Sequence, residues 1–151
     1  MNADFARAVF AFLALPGVVA FALPLWLARA DARAHGFGPL GIPPLALGLI
    51  GLFRCVRDFY VTGKGTLAPW SPPQRLVVVG LYRWSRNPMY VSVLLILLGW
   101  AIGFGSRTLF GYAGIVAVGF HLRVVLAEEP FLARTHGEAW ESYRQSVRRW
   151  L

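Results

Sequence analysis

Three short stretches of this chain hold most of the residues able to bind or move charge. Gly63-Lys64-Gly65 sets two glycines around a cation, and a backbone without Cβ atoms lets amide groups come close to a carboxylate or phosphate. Taken alone, the same pattern also describes a plain flexible turn. The run Gly80-Leu81-Tyr82-Arg83-Trp84-Ser85-Arg86-Asn87-Pro88-Met89-Tyr90 is denser. Asn87 followed by Pro88 predicts a helix start, because an Asn side chain can cap free amides and Pro fits the first helical position without losing a needed donor. Arg86 and Tyr90, four residues apart, then share a helical face beside amides able to hold an anion. The third stretch, Glu128-Glu129, falls where an apolar helix is predicted to end. Two carboxylates there are costly unless paired, hydrated or used, and the negative end of the helix dipole adds to the cost. Arginines of the long connection before Asn87 would neutralise them. A cationic or hydroxyl-bearing ligand would do so equally, with His121 seven residues ahead of Glu128 on the same stripe.

The elements that must position these stretches are apolar helices. With 57% hydrophobic and 15% charged residues, a 151-residue chain has too little polar surface to cover a water-soluble globule. Four segments, at 8–28, 36–53, 87–106 and 108–127, are apolar over lengths that cross about 30 Å of hydrocarbon at about 1.5 Å per residue. The first is longer than a signal-peptide core and contains Pro16, Gly17 and Pro24, so it is taken as a span. The predicted fold is therefore all-α: one integral membrane domain over 1–151, a bundle of four transmembrane helices with a connecting loop at 54–86 and an amphipathic C-terminal helix. In that last element Trp140, Tyr143, Val147 and Trp150 recur at helical spacing, which fits a membrane-surface anchor and, less simply, a lid over a site.

Charge sets the orientation. Twelve of the 15 Lys and Arg residues fall on the side of the termini and the long connection, leaving only Arg29, Arg33 and Arg107 opposite. By the positive-inside rule the termini and all three polar stretches are cytoplasmic, as in a multi-pass protein of a bacterial inner membrane. The net charge of +8 is then topology and attraction to anionic membrane lipids, not a nucleic-acid footprint. A single cysteine, Cys55, and three scattered histidines give no metal-ligand spacing.

Arg86-Asn87-Pro88-Met89-Tyr90, Glu128-Glu129-Pro130-Phe131-Leu132, and His136-Gly137 with Trp140 and Tyr143 together resemble the membrane superfamily of isoprenylcysteine carboxyl methyltransferases and phospholipid methyltransferases, in a bacterial-type form. The resemblance runs from about Gly63 to the C-terminus. It implies S-adenosylmethionine as cofactor, and a lipid-like or small hydrophobic acceptor reached from the membrane. It further implies cofactor contacts from Gly63, Gly65, Tyr82, Asn87, Pro88, Tyr90, Glu128, Glu129 and Tyr143, with Arg86, Glu128 and Arg148 placed for catalysis. His136 stands where that superfamily commonly has an aromatic, and Asn87 where its prenylcysteine enzymes have His. These departures bear on the acceptor, a carboxylate or an amine, more than on the cofactor. Membrane sterol reductases, which use a nicotinamide cofactor, have a similar C-terminal half but an Arg-Asp pair in place of Glu128-Glu129. A non-catalytic membrane scaffold is the remaining alternative.

Overall fold

Two prolines shape the first helix. The computed structural model describes residues 13–63 and 76–151, and there a π-helical run, Leu13–Ala22, continues directly into α1, Leu23–Ala30. Pro24 has no N–H, so the carbonyls four and five residues before it, Ala20 and Val19, lose the bond a normal residue would give. Side chains from other helices replace it: Trp100 Nε1 donates to the Ala20 carbonyl at 2.9 Å and Tyr112 Oη to that of Val19 at 2.9 Å. Ala20 is fully buried, so Trp100→Phe strands a carbonyl in an apolar interior. The expected cost is about 1–3 kcal/mol, read as a lower thermal midpoint of the detergent-solubilised protein.

A 3₁₀ turn, Pro39–Gly41, leads into α2, Ile42–Gly63; α3 is Pro88–Phe104, α4 is Arg107–Arg123, a π-helical turn covers Val124–Glu128, and α5 is Glu129–Ser146. The described residues contain no β-strand, in line with the all-α expectation. Pro39–Phe59 and Arg107–Ser146 are long and apolar enough to cross a membrane, while Pro16–Ala30 and Pro88–Phe104 are shorter apolar helices. The helix over the second expected span starts at Ile42, six residues later than its apolar run, and carries on through Cys55 to Gly63. Helices α2 and α3 approach closely along small residues. A Cβ on Gly48 would lie 2.6 Å from the Ser92 carbonyl, and one on Gly99 would lie 2.7 Å from Leu45 Cβ. The core of Leu52, Val93, Ile96, Leu97, Ala113 and Ala20 closes around this seam.

The α3–α4 hairpin turns at Gly105, whose φ of 59° suits glycine, and Ser106 caps α4 by accepting from the Leu109 amide at 3.2 Å. The Ser106 hydroxyl also donates to Asp31 at 2.5 Å, tying the end of α1 to this turn. That bond, with help from the Arg33 amide, holds the Asp31 carboxyl below its ordinary value of 3.8. Stability from Asp31 is therefore complete above that value and fades as pH falls through the lower folded value. The melting difference between the wild type and Asp31→Asn should accordingly close on acidification below about pH 4.

Three local expectations are corrected. The C-terminal helix ends at Ser146 and Val147 is extended, so Val147 and Trp150 do not continue the helical stripe. Trp140 and Tyr143 are buried against Leu76 and Leu132, which makes the aromatic face of α5 an internal packing surface and not a membrane-surface anchor. Glu128 and Glu129 do not end a helix: α4 runs through the π turn into α5 without a break, so both carboxylates sit inside a continuous helix, away from the negative end of its dipole. Within α5, Gly137 takes φ 48°, ψ −120° and breaks the helix into two segments.

Candidate functional site

Pro88 starts α3 as its sequence predicts, but the Asn87 side chain makes no cap. Instead, Asn87 Nδ2 donates to the Arg149 carbonyl at 2.9 Å, while its own amide donates to Ser85 Oγ at 3.1 Å. The Arg86 amide donates to the Arg148 carbonyl at 2.9 Å, and Ser85 and Arg148 form an isolated parallel bridge. The segment after α5 is thus drawn out as a strap across the start of α3. This explains the early helix end: peptide groups at 148 and 149 find partners around Ser85–Asn87 that a further helical turn would deny them. Tyr143 Oη fixes the root of the strap, donating to the Tyr82 carbonyl at 2.6 Å. Burial pushes the Tyr143 phenol up to about 12, so it stays a donor at neutral pH.

The two carboxylates part company. Glu128 accepts from Tyr90 Oη and from Arg123 Nε, the latter at 2.8 Å, and Tyr90 lies against Phe120 with ring centres 4.4 Å apart. Glu129 takes a two-point contact from Arg149, Nε at 2.8 Å and Nη2 at 2.9 Å, and an ion pair with Arg86 Nη1 at 3.1 Å. Hydrogen bonding to Glu129 raises the pKa of Arg149.

Arg86 is the exceptional group. Its side chain is only 9% exposed and its guanidinium lies 5.4 Å from the centre of the Trp140 ring. Nη1 is near enough to Glu129 for attraction but out of line for a hydrogen bond, and both Nε and Nη1 are buried without an acceptor. Burial lowers its pKa, with Glu129 opposing the shift. Two guanidiniums sharing one carboxylate leave this half of the site with a surplus positive charge and unused donors. An anionic oxygen would satisfy both.

Of the residues singled out in the sequence, Arg86, Asn87, Tyr90, Glu128 and Glu129 come together between the start of α3 and the start of α5, with Pro88 buried at the helix start. Tyr82 and Tyr143 lie beneath them, Tyr82 packed with Cys55 and Val77. Arg148 brings its carbonyl to Arg86, while its side chain is exposed. Gly63 is the last residue of α2, and Gly65 lies outside the described residues. His121 stacks on Trp150, with ring centres 6.1 Å apart. Arg123 and Arg149 escaped sequence reasoning as site residues because basic positions beside apolar helices read first as topology signals, and Ser85, though inside the dense second stretch, was given no role there. No group of His, Cys, Asp and Glu able to hold a metal occurs among the described residues.

Comparison with known proteins bears on what this arrangement is for. The family described as phospholipid methyltransferase matches residues 41–139, more than half of the chain. The match contains both carboxylates and the start of α3, and stops before Trp140 and the strap. A Haemophilus influenzae protein described as uncharacterized is 35% identical over 63 residues, which are 42% of this chain and 100% of the relative. No solved structure matches.

Proposed function

Because the chain belongs to the phospholipid methyltransferase family, we propose that it is a multi-pass membrane enzyme that transfers the methyl group of S-adenosylmethionine to a lipid-like or small hydrophobic acceptor at the cytoplasmic face. The observation that carries this reading is Arg86, a buried guanidinium with two unused donors, set beside the Glu129 carboxylate. A donor bearing a carboxylate, an ammonium and ribose hydroxyls needs this mixture of an anion acceptor and cation acceptors.

In this reading Glu129, Asn87, Tyr90 and Glu128 hold the donor's cationic and hydroxyl groups. Arg86 holds an anionic oxygen of donor or acceptor. When bound, the cofactor supplies an electrophilic methyl on sulfur. The residues around it then align the acceptor with the methyl–sulfur bond and keep water out. An acceptor carboxylate needs no base, whereas an ammonium must first lose a proton, and Glu128, 31% exposed and beside Tyr90, has access to carry one away. Tyr82, Pro88 and Tyr143 support the site from below, and Gly63 and Gly65 are given to the cofactor on the family resemblance. The family match sets methyl transfer ahead of nicotinamide-dependent reduction.

The test is saturable binding of S-adenosylhomocysteine to folded, detergent-purified protein. Labelled S-adenosylmethionine is then presented with phospholipids and with small amine and carboxylate acceptors. A folded preparation that binds neither S-adenosylmethionine nor its product sinks the reading.

A further inference from the structure

The two arginines on Glu129 differ in how firmly they are held. Arg86 is 9% exposed, lies against Trp140 and is fixed through its own amide to the Arg148 carbonyl. Arg149 is 37% exposed and belongs to the end of the strap, beyond Val147, the last residue of that segment to be buried. Yet Arg149 makes the better contacts. Its guanidinium takes both oxygens of Glu129, and its carbonyl takes the Asn87 side-chain amide. One residue thus occupies two polar groups that the proposed function gives to the donor. It does so as a cation on the carboxylate and a carbonyl on the amide.

We propose that Arg149 is an internal competitor, which fills the Glu129 and Asn87 positions in the empty enzyme and has to leave for the methyl donor to bind. This rests on the reading that those two residues hold the donor. Three features make the exchange feasible. Arg86 remains on Glu129 after Arg149 departs, so the carboxylate never becomes a lone buried charge. Arg149 already meets solvent and regains full hydration with little movement. Only the end past Arg148 has to shift, with loss of the stack between His121 and Trp150, while the Arg148 carbonyl stays on the Arg86 amide and Tyr143 keeps its bond to the Tyr82 carbonyl. The donor's ammonium then replaces the guanidinium on Glu129, one cation for another. Until the donor arrives, the docked strap keeps the site closed to other ligands.

S-adenosylhomocysteine binding to the full-length protein in detergent tests this, with folding of each variant checked by melting. Arg149→Gln should tighten binding at least about fivefold, the scale of one partly exposed ion pair. Arg149→Lys, which keeps the charge but not the two-point fit, should tighten it by less. Arg144→Gln, which removes only an exposed pair with Glu141, should match the wild type. Unchanged or weaker binding in a folded Arg149 variant overturns the competitor role, weaker binding showing that Arg149 instead holds the donor. If the folded wild type and all variants bind nothing, the donor reading itself falls, and the competitor with it.

Discussion

Replacing Arg86 by methionine is expected to lower methyl transfer at least about a hundredfold while leaving the melting temperature unchanged or higher. The two halves of that result have separate causes. Activity falls because a buried guanidinium with unused donors is lost, the only one among the described residues, and a preorganised donor aimed at an anion is worth about 10²–10³ in rate. Stability holds because the protein gains little from this charge. Burial opposes it, two of its nitrogens lack acceptors, and Glu129 keeps a two-point partner in Arg149. Methionine retains the apolar contact with Trp140. A methionine variant that melts well below the wild type while keeping its turnover would show that Arg86 is structural.

Glu129→Gln should do the opposite to stability. It removes the counter-ion that Arg86 and Arg149 share, and stranding a buried cation costs about 3 kcal/mol. Donor binding should fall at the same time, by tenfold or more. Glu128→Gln is the informative contrast. Glu128 is 31% exposed and its partner Arg123 45% exposed, so breaking that pair should cost no more than about 1 kcal/mol. Combining Glu129→Gln with Arg149→Gln should recover part of the lost stability, because one of the stranded cations is then gone. A double-mutant cycle that is additive would show that the two side chains do not interact in solution.

Much of this site was legible in the sequence, and the failures share a cause. Asn87-Pro88 located the start of α3, and the break between the apolar segments 87–106 and 108–127 falls within a few residues of the α3–α4 turn, because Pro, Gly and Ser act on their own neighbours. Arg86 and the two glutamates stood out because charge beside a long apolar run always needs a reason. Local rules failed where distant peptide groups intervened. The Trp140-Tyr143-Val147-Trp150 spacing is helical throughout, yet the helix stops at Ser146 because bonds to Ser85–Asn87 outweigh one more turn. The same bonds draw Asn87 away from capping. Arg149 was missed for a related reason: Arg148 and Arg149 are equivalent as charges, and only the extended backbone of the strap decides which one reaches Glu129.

The strap also fixes the order in which the site comes into being during synthesis. Arg149 follows Glu129 by 20 residues and Asn87 by 62, so a ribosome delivers it after every other polar member of the cluster. On a growing chain inserted in sequence, the α2–α3 seam and the pair between Arg86 and Glu129 are available to form first. For that interval Glu129 faces one guanidinium and Asn87 has no carbonyl to meet. The nascent site is therefore open in a way the folded protein is not, and it is the strap, made after the residues it covers, that shuts it.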